Sequence, residues 1–388
     1  MFVVGGGLLA LGIARAMRRT GVPVVVFTAT AESLLPYSRR CRLVSVAPGD
    51  DDALLRAVFT EAASCSTPPV LIPAGDKALL FSCSHTDQLG ECVRVVLPSL
   101  DAASTVLEKD RFDTYAQKHG VPVPQSWAFA DLDELRQEAG HLPYPLAVKP
   151  SVSTHWHGTA FTSAFGHIKM LRVDTPAELV ACVERIAALA PMPLVQEFVV
   201  GGDHEHYSYV SYRNREGVEL SGVLVQKLRL SPIRYGLGTC ARVVRNQDME
   251  AIGRHVTATL PYRSVASVCF KRDVRTGAPK VFEVNGRLPL NFPAIGVAGM
   301  NLPLLMYRDA LGDSPSPATV KRYGRLWTTL SHDIWAMRGY QRAGELSFAQ
   351  WLWSYREVKQ VLELDWRDPG PGIALGATVL ERKFRRAN

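Results

Sequence analysis

The protein has 388 residues, of which 47% are hydrophobic and 21% are charged, and it carries a net charge of +7. This length predicts two or three packed units rather than one core, and the balance of apolar and charged residues argues against a disordered chain. Because the lysines and arginines are scattered rather than clustered, the positive charge favours a small anionic ligand over nucleic acid.

The cysteines and the apolar segments indicate the cellular compartment of the protein. The seven cysteines form no Cys-x-x-Cys pair, and such an odd set indicates reduced thiols of a cytoplasmic protein. The apolar start has no basic residue before it and is interrupted by Gly5-Gly6-Gly7, so a signal peptide is not predicted. No uncharged apolar stretch reaches the roughly 18 residues of a membrane span, so no membrane association is expected.

The N-terminal part alternates between strand and helix patterns, which is typical of a parallel sheet covered by helices. We predict one domain of this kind over residues 1–104, with strands at 1–4, 22–27, 43–46, 70–73 and 93–97 and helices at 8–19 and 50–63. The glycine turn permits a dinucleotide site, but the acidic residue expected after the second strand is absent from Phe27-Thr28-Ala29. The turn Ser38-Arg39-Arg40 is either solvated or faces a substrate carboxylate.

Two lysines stand at the ends of predicted elements. Lys109 begins a helix that stops at Gly120, and Val121-Pro122-Val123-Pro124 follows as an extended segment. Lys149 ends a short apolar strand, where a flexible ammonium can reach a phosphate or an adenine edge. Residues 151–166 are rich in Ser, Thr, Gly and His and are expected to form a mobile loop, with Lys169 just beyond it.

Two histidine pairs have a spacing of two residues, namely His155 with His157 and His204 with His206. A zinc site would explain both pairs if they met in the fold. A solvated loop or a substrate contact, neither of which requires a metal, is the favoured interpretation.

Lys227 and Arg229 lie on one predicted strand at a spacing of two, which places both cations on the same face. Two aligned cations before the flexible loop 231–238 suit a γ-phosphate and a substrate carboxylate. A basic sheet edge that discourages aggregation is the alternative.

A hairpin follows, with strands predicted at 267–271 and 279–285. Glu283 and Asn285 project from the same side of the second strand, and Arg287 comes two residues later. One carboxylate and one amide oxygen beside a cation suit Mg²⁺ with bound phosphate. A solvated edge strand is the alternative. Cys269 is expected opposite Glu283.

The segment Glu283-Val284-Asn285-Gly286-Arg287 resembles the Glu-hydrophobic-Asn-Pro-Arg signature of the ATP-grasp superfamily, whose members are mostly carboxylate–amine ligases. Three further segments resemble this family in the same order: the helix at Lys109 with its Gly-Val-Pro-x-Pro exit, the Lys149-Pro150 strand end, and the hinge around Glu197. Together they cover roughly residues 105–300.

The resemblance implies an α/β fold. A Rossmann-like domain (1–104) would be followed by ATP-grasp α+β subdomains (105–310) and by a C-terminal helical extension packed on the core (311–388).

The resemblance also implies nucleotide contacts. Lys109 and Lys149 would contact ATP, Glu197 would accept a hydrogen bond from the adenine amino group, and the backbone of Val199 and Val200 would meet the ring edge. Either Asp203 or Glu205 would hold the ribose hydroxyls.

At the reacting end, Glu283 and Asn285 would bind Mg²⁺, with Arg287, Lys227 and Arg229 around the transferring phosphoryl group. The family usually has Glu or Gln where this chain has Cys269, a soft and poor Mg²⁺ ligand.

The implied reaction transfers the γ-phosphoryl group of ATP to a carboxylate and gives an acyl phosphate that an amine attacks, with ADP and phosphate as products. The partners would be small carboxylate and amine substrates, and a homodimer is the default assembly. The alternatives are a ligase with a thiol or hydroxyl acceptor, and a nucleotide-binding protein with weak or no turnover.

Overall fold

The computed structural model describes residues 1–29, 34–150, 156, 158–166, 168 and 170–384, without the side chains of residues 109, 110 and 380–384. His155, His157, Lys169 and the first part of the predicted loop 151–166 (residues 151–155 and 157) therefore lie outside the described residues, whereas Thr159–Phe165 within that predicted loop forms a helix. The chain forms two compact units. The first unit comprises Met1–Val121, Gly202–Phe270 and Glu283–Asn388, and the second unit comprises Pro122–Gly201 and Lys271–Phe282.

The first unit begins with a parallel sheet of strand order β3-β2-β1-β4. Its strands are β1 (Phe2–Val4), β2 (Val25–Thr28), β3 (Arg42–Ser45) and β4 (Leu71–Pro73). The helices are α1 (Gly7–Ala16), α2 (Asp51–Ala63), α3 (Asp76–Ser84), α4 (Thr86–Gly90), α5 (Leu100–Leu107) and α6 (Lys109–Lys118). The prediction of a strand at 93–97 is wrong, because only Arg94 pairs there, through an isolated bridge to Val70.

The second unit has an antiparallel sheet of order β5-β8-β6-β7. Its strands are β5 (Ser126–Trp127), β6 (Leu146–Lys149), β7 (Leu171–Val173) and β8 (Leu194–Glu197), and its helices are α7 (Leu132–Glu138), α8 (Thr159–Phe165) and α9 (Pro176–Ala187). Helix α9 starts at a proline and is capped by the Thr175 side chain, as expected for a helix N-terminus. Val148, Phe161, Leu179 and Val195 belong to the core of this unit.

The remaining strands form a sheet of order β13-β12-β9-β10-β11-β14-β15. They are β9 (His206–Arg213), β10 (Glu219–Ser231), β11 (Leu237–Val244), β12 (Ser264–Arg272), β13 (Pro279–Asn285), β14 (Leu326–Thr328) and β15 (Val358–Val361). The helices are α10 (Gln247–Thr259), α11 (Pro293–Val297), α12 (Leu302–Leu311), α13 (Leu330–Arg342), α14 (Phe348–Ser354) and α15 (Gly370–Phe384).

The C-terminal region differs from the predicted helical extension. Two of its segments, β14 and β15, add to the sheet, with β14 antiparallel to β11 and β15 parallel to β14. Each compact unit combines segments from more than one predicted domain. The predicted domain boundaries at residues 104 and 310 are therefore not tested by this division and stay a prediction.

One hydrophobic core in the first unit joins the N-terminal sheet to this larger sheet. Helix α1 packs there against α11 and α12. A Cβ atom at Gly12 would lie 3.2 Å from the Phe292 ring, so the glycine lets the helix approach closely. Trp327 on β14 is fully buried in the same core. Among the helices described, none combines the length and the apolar character needed to cross a membrane.

Candidate active site

Glu283 and Asn285 lie together on β13, the last strand at one edge of its sheet. The neighbouring Val281 and Val284 are buried, which fixes the strand, whereas Glu283 is exposed. The Asn285 Nδ2 atom lies 3.1 Å from the Glu283 Oε1 atom. The strand alternation therefore brings the two predicted metal ligands within reach of one small cation.

The Cys269 thiol lies at the centre of the polar side chains on this part of the sheet. Its Sγ atom is 3.6 Å from Asn285 Nδ2, 3.8 Å from Lys227 Nζ and 3.4 Å from Ser208 Oγ. Val225 pairs with Ser208 across β10 and β9, so Lys227 follows two residues further along β10. The structure thus places Lys227 and Asn285 beside one buried thiol, and Glu283 accepts a hydrogen bond from Asn285. Ser208 was not predicted to lie there.

Arg229 does not continue this cluster. The pairing of β10 with β11 shifts between Lys227 and Arg229, so a spacing of two no longer fixes a common face. The Arg229 side chain is buried and forms an ion pair with Asp333 of α13, with Nε and Nη2 each 2.8 Å from a carboxylate oxygen. Its guanidinium is therefore held by the chain itself, and its predicted contact with substrate stays a prediction.

The Asp333 carboxylate is the centre of a buried network. Besides Arg229, it accepts hydrogen bonds from Thr239 Oγ1 at 2.7 Å, Trp351 Nε1 at 2.7 Å and Tyr355 Oη at 2.9 Å. Burial alone would raise the pKa of Asp333, but the hydrogen bonds and the charge of Arg229 outweigh it, so the pKa lies below its usual value. This network fastens the C-terminal helices to strands β10 and β11.

Arg287 is also engaged within the first unit. Its Nε atom donates to Asp76 Oδ1 at 2.8 Å, and Nη2 lies 3.3 Å from Oδ2. Asp76 begins α3 and is partly exposed. The pair holds the guanidinium beside the end of β13, so a phosphate contact by Arg287 would have to share it with Asp76.

Gly286 stands where the family signature has proline, and its surroundings explain the small residue. A Cβ atom there would lie 2.0 Å from the Tyr262 hydroxyl and 2.7 Å from Leu79 Cδ2. The hydroxyl donates to the Gly286 carbonyl oxygen at 2.9 Å. The buried tyrosine thus occupies the space that a larger residue would need.

We expect Gly286→Ala to lower the free energy of unfolding by about 1–3 kcal/mol, since overpacking displaces buried neighbours. Chemical denaturation measures the change. In a Tyr262→Phe background, which lacks the hydroxyl, the same substitution should cost less. An equal cost in both backgrounds would contradict the proposed clash.

Asp203 and Glu205, the two candidates for ribose binding, are both buried. Asp203 Oδ2 accepts from the Arg234 backbone N–H at 2.9 Å and from the Tyr340 hydroxyl. Glu205 lies 3.3 Å from the His204 ring. Asp203 therefore anchors the loop between β10 and β11, and neither ribose role is tested by this geometry.

The second unit carries the predicted adenine residues on β8 and just after it. Glu197 Oε2 is 2.9 Å from Lys280 Nζ and accepts from the Gln125 backbone N–H at 3.2 Å. Val200 uses both backbone groups, donating to Asp273 Oδ2 and accepting from Val274. Within the residues that the structure describes, the Val199 backbone makes no hydrogen bond, so it has a free donor and acceptor.

Lys149 ends β6, the strand beside β8. Its ammonium donates to the Gln196 side chain, which in turn donates to Ser126 Oγ at 2.7 Å. Gln196 and Glu197 are adjacent on β8, so Lys149 reaches towards the predicted adenine residues of the same sheet. Lys109 begins α6, but its side chain lies outside the described residues.

The described residues contain no group of three or more His, Cys, Asp or Glu side chains that could hold a metal ion. The zinc interpretation of the histidine pairs thus finds no support in this part of the chain. The oxygen pair Glu283 and Asn285 stays the candidate cation site.

Comparisons with known proteins identify the fold that carries this site. No protein-family model matches the sequence. The chain is 23% identical over 356 residues to the D-aspartate ligase of Enterococcus faecium, a match that covers 84% of the chain and 81% of the relative. It is 20% identical over 310 residues to the carbamoyl phosphate synthase large chain of Methanothermobacter thermautotrophicus, which covers 74% of the chain but 28% of the relative. The chain therefore spans little more than a quarter of that relative's length.

Among solved structures, the L-amino acid ligase of Bacillus licheniformis matches with a TM-score of 0.55 and 18% identity, over 80% of the chain and 73% of that structure. The chain has the ATP-grasp fold. The resemblance predicted from the four sequence segments is thereby confirmed, as is the predicted α/β class.

Mg²⁺ is the cation that the ATP-grasp resemblance implies for this site. The donor set on β13 has one exposed carboxylate and one adjacent amide, a type of set that holds Mg²⁺ together with substrate phosphates. The third position, Cys269, offers sulfur, which suits Mg²⁺ poorly. The residues fit one magnesium ion held by Glu283 and Asn285.

We expect Cys269→Gln, which restores a residue usual in the ATP-grasp family, to lower the Mg²⁺ concentration needed for half-maximal nucleotide binding, by about tenfold. Titration of Mg²⁺ at fixed nucleotide measures this. Cys65→Gln, a change at an exposed cysteine, is the control. An unchanged Mg²⁺ requirement in Cys269→Gln would show that this position does not influence the metal.

Asp333, Asp76 and Ser208 are the site residues that sequence reasoning missed. The two aspartates bind their arginines from positions 104 and 211 residues away in the chain, and no local pattern signals such pairs. Ser208 had a signal, because it alternates with Val210 and Tyr212, two residues of the hydrophobic core.

Proposed function

We propose that the protein is an ATP-dependent ligase of the carboxylate–amine type. A carboxylate oxygen of the substrate would attack the γ-phosphorus of ATP, and the bond to the β-phosphate oxygen would break to give ADP and an acyl phosphate. An amine would then attack the acyl carbon, with loss of a proton, and inorganic phosphate would leave. The observation that carries this proposal is the cluster of Glu283, Asn285 and Lys227 on a sheet of the ATP-grasp fold.

The side chains of this chain would mainly position groups and neutralise charge. Glu283 and Asn285 would hold Mg²⁺, which would neutralise phosphate charge when bound. Lys227 would contribute a mobile ammonium beside them, and Arg287 a guanidinium fixed by Asp76. Arg229 would act indirectly, because its ion pair with Asp333 fixes β10 next to Lys227.

In the second unit, Glu197, Val199 and Val200 would contact adenine and Lys149 a phosphate or the adenine edge. The Val199 N–H and carbonyl groups form no hydrogen bond among the described residues, which supports this assignment. Lys109 would contact ATP phosphate, and either Asp203 or Glu205 would hold the ribose hydroxyls.

The substrate class is proposed to be an amino acid or a similar small carboxylate. Two of the relatives are named as a D-aspartate ligase and an L-amino acid ligase, which supports trying amino acids of both configurations first.

Nucleotide product analysis tests the proposal. The protein is incubated with Mg-ATP and pooled D- and L-amino acids, and ADP, AMP and phosphate are quantified. We expect ADP and phosphate from the native chain and at least about a hundredfold less from Glu283→Gln. Glu91→Gln, at an exposed position after α4, is the matched control and should match the native chain. Formation of AMP and pyrophosphate would contradict the acyl-phosphate route.

A second candidate, a nucleotide-binding protein with weak or no turnover, is favoured by Cys269 and by the engagement of Arg229 and Arg287 with aspartates. Tight Mg-ATP binding with no ADP formation across the full substrate pool would support it over the ligase.

A further inference from the structure

A cavity of about 500 Å³ lies in the first unit, and its lining includes no residue assigned to the nucleotide or the metal. Helix α1, the segment before β14 and strand β15 contribute its lining, which includes Arg18, Arg322, Arg325, Lys359 and Trp366. This volume lies within the range of small-molecule sites. The lining has five Lys or Arg residues, counting Arg15, and Asp365 as its acid.

Three of these cations are available to a ligand. Arg322, Arg325 and Lys359 are exposed, and in the described part of the chain their side chains form no hydrogen bond or ion pair. Like charges that lie close together without acidic partners repel one another. An anion that binds among them is therefore attracted by all three cations and relieves this repulsion.

The backbone that carries the two arginines is fixed in place. The N–H groups of Lys321 and Arg322 both donate to the Ala298 carbonyl, at 2.9 and 3.0 Å, and the Gly324 N–H donates to Val243 at 2.9 Å. Arg325 directly precedes β14, which pairs with β15. The backbone that carries the two arginines is therefore held by the fold before any ligand binds.

The other charged side chains of the lining have partners of opposite charge. Asp365 is paired with Arg18. Burial raises its pKa, but the Arg367 N–H and the charges of Arg18 and Arg15 outweigh burial, so the pKa lies below its usual value. Arg15 is itself neutralised by Asp368 at 3.0 Å. The surplus positive charge thus rests on Arg322, Arg325 and Lys359.

Trp366 completes the lining with an indole that is 82% exposed. The Arg367 guanidinium lies 4.5 Å from the ring centroid. A side chain this exposed would change its fluorescence when a ligand fills the cavity, so it provides a local reporter.

We propose that this cavity binds a small polyanion, a molecule that carries two or more phosphate or carboxylate groups. The free cations meet at one cavity rather than along a stripe, which favours a compact ligand over the extended backbone of a nucleic acid. This site is separate from the proposed ligase site and does not depend on it.

The test titrates the full chain with inorganic tripolyphosphate and, separately, with citrate, while the fluorescence of Trp366 is followed as the difference between the native chain and Trp366→Phe. The first probe represents a phosphorylated ligand and the second a polycarboxylate. Binding of tripolyphosphate to the proposed nucleotide residues would not contribute, since only the Trp366 signal is counted.

We expect at least one probe to give a saturable Trp366 signal, and the double variant Arg322→Ala with Arg325→Ala to weaken its apparent affinity by at least about tenfold. The double variant Arg56→Ala with Arg263→Ala removes the same charge at exposed arginines outside the cavity and should leave the affinity unchanged. Equal weakening in both double variants would show only a general charge effect and would overturn the proposal. So would the lack of any signal, or binding of a single-stranded oligonucleotide through Arg322 and Arg325 when neither small anion binds.

Discussion

Replacement of Asp333 with alanine is expected to lower the free energy of unfolding by about 3–5 kcal/mol, because it leaves the buried Arg229 guanidinium without its partner. Thr239, Trp351 and Tyr355 would lose their acceptor at the same time. Denaturant unfolding measures the change. Asp313→Ala, at an exposed Asp–Arg pair, is the matched control and should have little effect.

The double variant Arg229→Leu with Asp333→Leu separates the buried charge from the packing. Since neither charge then remains, it should be more stable than Asp333→Ala alone. If the double variant and Asp333→Ala had the same free energy of unfolding, the unpaired Arg229 would not be the cause of the lost stability.

The same pair predicts how stability depends on pH. The pKa of Asp333 is lowered in the folded chain, so its ionised form stabilises the fold above the pKa of an unfolded aspartate. That contribution is lost as the pH falls through the unfolded and then the folded pKa. The native chain should therefore lose more stability on acidification than Arg229→Leu with Asp333→Leu.

Lys227→Met is expected to reduce the rate of ADP formation by about 10²- to 10³-fold, since it removes a charge beside the proposed metal ligands while it keeps the length of the side chain. Steady-state assays with Mg-ATP and pooled amino acids measure this. Lys118→Met, at an exposed position on α6, is the control. A native rate in Lys227→Met would exclude a direct role of the ammonium.

Strongly patterned elements could be predicted closely from the sequence. Strand β13 has the bounds expected for it and helix α2 differs from its expected bounds by one residue, because alternation in one and a capped helical pattern in the other determine local structure. The approach of Glu283 to Asn285 follows from the alternation alone. Gly286 was visible as a departure from the family signature, but its cause, the buried Tyr262, required the structure.

Elements defined by distant partners could not be predicted in this way. Strands β14 and β15 are short, and each exists because a neighbouring strand completes its hydrogen bonds. Arg229 was predicted on the same face as Lys227 because the register shift in β10 has no sequence signal. Its partner Asp333 lies on a helix of the predicted C-terminal extension, but no local pattern indicated the pairing. Local patterns therefore predicted the ligands on β13 better than the contacts that fix the arginines.

Transfer of ¹⁸O from the substrate carboxylate to inorganic phosphate tests the proposed ligase chemistry most directly. The protein would be incubated with Mg-ATP and a pool of D- and L-amino acids labelled with ¹⁸O in both carboxyl oxygens, and the phosphate released would be analysed by mass spectrometry. An acyl phosphate intermediate requires that each phosphate formed carry one ¹⁸O atom, and that the labelled product be lost in Glu283→Gln. Unlabelled phosphate from a chain that turns over ATP, or label recovered in AMP, would contradict the proposed mechanism.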